Sequence, residues 1–260
     1  MTAARSTAAG RLAPLLLGLL AGCAATGELP QGPARSPQET LAALAERGAR
    51  ARTLYGVVEI AYDGPDRRGT FDAVVHWRAP GELRLTAYKD LLLAAPDVFD
   101  LLLGPEEWAL AARPDSDDGG RTRKRGARAD LPGEEPRFAA VHWVAEGLFL
   151  PGLPAPGATI EAAGERQRLS TRLASGAEVT WLVDPRTLAV VSGEVTCGDG
   201  RRITLRYAAW RADQGLPVPG EIELTDPRGE TRLLIRLREH EVDPALDPST
   251  FRPESVLEAE

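Results

Sequence analysis

The sequence predicts a mainly β domain of α+β class: a strongly curled antiparallel sheet, or half-open β-barrel, with helices covering its open face. Three observations carry this expectation. From Thr53 onward apolar residues recur with a period of two. Short turns rich in Gly, Pro and Asp separate the runs. Only two stretches show helical spacing, too few for the crossovers a parallel sheet requires.

The chain opens with a short apolar run at residues 12–20, preceded by Arg5 and Arg11 and followed by Leu20-Ala21-Gly22-Cys23. A run this brief fits a cleaved secretory signal better than a bilayer-spanning helix. The small residues before Cys23 resemble the lipobox of bacterial lipoproteins. That resemblance implies a signal peptide over 1–22 and a mature chain starting at a lipidated Cys23. Ala24 stands where an Asp would imply retention at the inner membrane, so the resemblance implies an outer-membrane anchor with the domain facing the periplasm. Residues 23–36 are rich in Gly, Pro and Ala and read as a flexible tether. The rest, 37–260, is expected to be one domain.

Ser36-Pro37-Gln38-Glu39 is a helix start: Ser36 at the N-cap, Pro37 in the first position and Glu39 completing a capping box. Leu41, Leu44 and Ala45 continue it at helical spacing to about residue 51. Strands are expected at 56–62, 69–78, 83–89, 98–103 and 108–112, with Phe71, Trp77, Leu85, Phe99, Leu101 and Trp108 turned inward. Residues 113–136 hold Asp115-Ser116-Asp117-Asp118 and Arg121-Thr122-Arg123-Lys124-Arg125 but almost no large apolar side chain, and read as a mobile loop. A second helix is expected over 136–150, carrying Trp143 and Phe149 on an apolar face and closed by Pro151-Gly152. Six further strands follow, at 167–174, 178–183, 188–196, 201–210, 219–225 and 231–242, for about eleven in all.

The net charge of −7 becomes more negative once a leader holding two Arg and no acid is removed, which excludes a general nucleic-acid binder. No phosphate-binding loop, nucleophile elbow or metal-ligand spacing is present. His76, His142 and His240 are scattered, and Cys197 sits beside a Gly198-Asp199-Gly200 turn with no neighbouring base. Carboxylates such as Glu221 and Glu223, or Asp97 and Asp100, read as solvent-face residues. No catalytic residue, metal or cofactor is therefore expected, and the protein is read as a binder rather than an enzyme.

Several pieces in order resemble the LolA and LolB superfamily of periplasmic lipoprotein carriers and receptors. These are the early helix; Arg78-Ala79-Pro80 leading into Leu83-Arg84-Leu85-Thr86-Ala87-Tyr88-Lys89; Phe99-Asp100-Leu101 with Trp108; the mid-chain helix; Val183-Asp184-Pro185-Arg186-Thr187; and the closing Leu246-Asp247-Pro248-Ser249-Thr250-Phe251. The resemblance implies a half-open barrel whose apolar cavity receives acyl chains of lipoproteins or lipids. Phe71, Trp77, Leu85, Phe99, Leu101, Trp108, Trp143 and Phe149 would line it. Leu91, Leu92 and Leu93 fall where a receptor carries a protruding leucine loop, and would serve as a membrane or cargo loop. The expected partners are lipid acyl chains or lipoproteins, with membrane attachment through the N-terminal lipid and a monomeric state. The competing expectation is a protein- or peptide-binding sensing or assembly module on the same fold.

Overall fold

The computed structural model describes residues 29–65, 68–88, 97–112, 122–128, 149–173, 176–196, 200, 202–213, 216–226 and 228–258. Cys23, Leu91, Leu92, Leu93, Trp143, Cys197 and nearly all of the expected second helix lie outside them. Helix α1, Pro37–Arg50, starts as its sequence dictates: the Ser36 hydroxyl accepts from the Glu39 amide while the Glu39 carboxylate accepts from the Ser36 amide. Thr40, Leu44 and Arg47 form its buried side.

Among the described residues fifteen strands follow, thirteen of them in one antiparallel sheet. The first arm is β1 Thr53–Asp63, β2 Arg68–Arg78, β3 Glu82–Tyr88, β4 Asp97–Leu103, β5 Glu107–Ala112 and β6 Thr122–Ala127. The second is β7 Thr159–Ala163, β8 Arg166–Arg172, β9 Glu178–Val183, β10 Val190–Thr196, β11 Arg202–Ala208, β14 Glu221–Thr225 and β15 Arg232–Val242. Strands β12 Arg211–Asp213 and β13 Leu216–Val218 make a separate hairpin between β11 and β14. Each arm is a meander of sequential neighbours, and the two join where β1 pairs with β15, so that β6 and β7 end the sheet.

Three expectations change here. The large antiparallel sheet with few helices is as expected, but among the described residues its end strands β6 and β7 do not pair, and the strong curl of a half-open barrel is not seen. The stretch read as a mobile loop contains β6, paired along its length with β5. Its alternation is invisible because it is an edge strand exposed on both faces, where charges replace apolar residues and discourage further pairing. Strands β7, β12 and β13 were likewise not anticipated; they are three to five residues long, and β13 carries Pro217.

Alternation gives the sheet one apolar face. Leu54, Val58 and Ile60 of β1 meet Ala73, Val75 and Trp77 of β2, Leu83, Leu85 and Ala87 of β3, and their counterparts across β15 to β8, in a single buried cluster. Along the middle of the outer face runs a ladder of charges, with Arg236 bridging Glu59 and Glu221. At the β3 to β6 end the outer face is covered too. There a 3-10 turn, Pro248–Phe251, and helix α2, Pro253–Leu257, pack Phe251 and Val256 onto Leu102, Ala109 and Ala111. Beneath them Arg84 donates to both oxygens of the buried Asp100 carboxylate and also to the Ser255 carbonyl, tying the C-terminus to the sheet.

Candidate functional site

The site is built on the inner face of the first arm. Register places Trp77 opposite Leu83, Leu83 opposite Leu103 and Leu103 opposite Trp108, with Leu85 opposite Leu101 in the next row. Phe71, Trp77, Leu85, Phe99, Leu101 and Trp108 therefore share one face. Most are sealed. Phe71 and Phe99 are only half-buried, and their rings meet edge to face with centroids 5.7 Å apart, a favoured arrangement. The Trp108 indole lies over Gly126 of β6, where a Cβ would come within 2.8 Å of its Nε1. That nitrogen is buried and has no hydrogen-bond partner among the described residues.

Phe149 is buried, but in a turn. Together with Leu150 it sits where residues 149–153 return from β6 toward β7 and meet α1. Arg47 fixes this corner. Its guanidinium donates to the Leu188 carbonyl at 3.1 Å and to the Pro151 carbonyl. Burial without a carboxylate partner pushes its pKa down to about 10, which leaves it charged at neutral pH. The Cβ of any larger residue at Gly152 would come within 2.7 Å of Val190, and φ there is +78°, so the close approach requires glycine.

Sequence reasoning missed a second aromatic group, on the inner face of the second arm. Trp181 of β9 lies flat over Gly193 of β10, where a Cβ would come within 2.3 Å of the indole. Its ring is 5.9 Å from that of Tyr207 on β11, which in turn is 6.2 Å from Trp210. Trp210 reaches this position because Ala209 adopts φ +51° at the end of β11 and folds the β12–β13 hairpin back over the face. Gly220 donates to the Ala209 carbonyl to hold the fold-back. The Tyr207 hydroxyl is buried without a partner among the described residues, and burial drives its pKa well up. The alternation of β9 and β11 was legible in the sequence, whereas the left-handed Ala209 carried no signal.

The remaining polar residues do not converge. His76 lies on the outer face against Tyr55, and His240 on the inner face with its Nε2 3.8 Å from Asp213, so the sheet separates them. Burial lowers both histidine pKa values; Arg84 adds to the effect at His76, and Asp213 opposes it at His240. Glu221 and Glu223 are paired with Arg236 and Arg232, and Asp100 with Arg84. Asp97 belongs to β4. A shallow groove of about 240 Å³ crosses the outer face of β8 to β11, lined by Arg168, Thr180, Leu182, Ser192, Glu194 and Thr204 among others. No described helix is long and apolar enough to cross a membrane.

No protein-family model matches the chain, and no curated protein does. Solved structures do resemble it. A LolA superfamily protein from Nitrosomonas europaea aligns with TM-score 0.53 at 14% identity, covering 85% of this chain and 100% of that one. A DUF1329 family protein from Desulfovibrio piger aligns with TM-score 0.54 at 9% identity, again over 85% and 100%. A proposed outer membrane lipoprotein-sorting protein domain from Vibrio parahaemolyticus gives 0.53 at 10% identity, over 85% and 99%.

Proposed function

We propose, starting from the LolA-like fold that the chain has, that this protein is a non-enzymatic, lipid-anchored lipoprotein of the outer membrane. It binds acyl chains of lipids or lipoproteins against the inner face of its sheet. The observation that carries the reading is the Phe71–Phe99 pair: two aromatic rings in edge-to-face contact, left half-exposed on a largely buried apolar face. Each methylene moved from water onto such a face contributes about 0.8 kcal/mol, so a single long alkyl chain supplies ample driving force. Cargo enters between the face and whatever covers it, with the sheet curling around the chain into a half-barrel. Trp77, Leu85, Leu101 and Trp108 form the floor, Trp143 and Phe149 belong to the cover, and Leu91, Leu92 and Leu93 meet membrane or cargo. Lipidation at Cys23 holds the monomer at the bilayer where cargo is received or released.

Native mass spectrometry of the protein purified from a bacterial envelope tests this. Co-purifying phospholipid or acylated peptide is the expected result, with its occupancy lost in Phe71→Glu. A protein that stays cargo-free when lipid vesicles are added rules the reading out.

A further inference from the structure

Four strand pairings place one unbroken apolar row across the seam of the sheet: Phe71 faces Ile60, Ile60 faces Ile235, Ile235 faces Ile222, and Ile222 faces Tyr207. The row begins at the half-exposed phenylalanine pair and ends at a hydroxyl. Its four steps between strands span about 19 Å, roughly the extended length of a long-chain acyl group. Every side chain between the ends is a buried isoleucine, so the row has no polar atom until Tyr207.

Tyr207 is only 6% exposed, and its buried hydroxyl has no partner among the described residues. A buried hydroxyl left unpaired costs on the order of 1–3 kcal/mol, so one that is retained calls for an explanation. Two aromatic neighbours flank the position. Trp181 packs against it from β9, its indole pressed close to Gly193. Trp210 meets it from the other direction and is half-exposed, following a non-glycine residue in the left-handed region, a conformation that costs of order 1 kcal/mol and concentrates at binding sites.

Building on the acyl-binding reading, we propose that Tyr207 is an ester-recognition residue. Its hydroxyl donates a hydrogen bond to the carbonyl oxygen of an acyl ester, while the alkyl chain of that ester runs along Ile222, Ile235 and Ile60 toward Phe71. The ligand class is thus an O-acyl glycerolipid group rather than a bare hydrocarbon. Membrane phospholipids and the diacylglyceryl cysteine of lipoproteins both present that group. The half-exposed Trp210 marks where the glycerol end leaves the protein.

The test is binding of three probes to the whole chain: dipalmitoyl phosphatidylglycerol, its diether analogue without carbonyls, and a dipalmitoylglyceryl-cysteine peptide. Wild-type protein is expected to bind the diester about tenfold more tightly than the diether, one good hydrogen bond's worth. Tyr207→Phe should bring the two to equal affinity while still melting cooperatively. Tighter binding of the cysteine peptide than of the phospholipid identifies lipoprotein as the source of the ester, and the reverse identifies membrane lipid; either supports the role of Tyr207. Equal affinity of wild type for diester and diether, or a preference that survives Tyr207→Phe, overturns it and leaves acyl binding intact. Failure of all three probes to bind wild type overturns acyl binding itself.

Discussion

Gly193 shows how one hydrogen atom sets an aromatic site. With any side chain there, the Trp181 indole would have to lift by more than an ångström from β10, carrying its contact with Tyr207 along. Gly193→Ala is therefore expected to destabilise the protein by about 1–3 kcal/mol, as overpacking does. A shift in tryptophan fluorescence should accompany the loss of Tm. An unchanged spectrum with an unchanged Tm would show that the indole has room to spare. The sequence carries the glycine but not the reason for it, because the tryptophan it accommodates sits on the neighbouring strand. The same holds for Gly126 under Trp108. By contrast Phe71, Trp77, Leu85, Phe99, Leu101 and Trp108 were legible as one face, since alternation along a strand fixes which way each side chain points.

At the scale of elements, local signals read best where they are complete within a few residues. The capping box of α1 is an example, because all its partners lie within four positions. The C-terminal segment is the opposite case: its docking depends on Arg84, 166 and 171 residues away from the Thr250 and Ser255 it contacts. Burial of the Asp100 carboxylate is tolerated because Arg84 and the Thr86 hydroxyl both donate to it. Arg84→Ala should cost roughly 3 kcal/mol by leaving that carboxylate uncompensated, and Arg84→Leu with Asp100→Leu clearly less. Calorimetry on both variants decides the point; equal losses would mean that the pair serves only to fill space. Strand β6 was unreadable for a related reason. An edge strand that buries neither face has no hydrophobic period to display, and its basic residues look like any solvated loop.

For the whole molecule, acid is expected to weaken folding earlier than carboxylate titration alone predicts. His76 and His240 have folded-state pKa values below the ordinary histidine range, chiefly through burial. As pH falls through about 6.5 the unfolded chain takes up protons that the folded protein refuses, so stability declines toward lower pH. Carboxylates held low by their partners, such as Glu59 beside Arg238 and Arg236, add to the decline only in the more acidic range below the ordinary carboxylate pKa. Thermal melts between pH 7.5 and 5 should show a falling Tm, flattened in the His76→Gln, His240→Gln double variant. A slope identical in wild type and variant would exclude the histidines as its source.

The seam between β1 and β15 has a consequence for how the sheet comes into being. Each arm is a meander of neighbours in sequence and so is built from contacts of low order, whereas the seam joins Leu54 to Val242 across nearly the whole domain. During synthesis the first arm is complete long before its central edge finds a partner. That edge, β1, is long and regular, the kind that recruits strands from other chains. Only when the final strand has emerged is it covered.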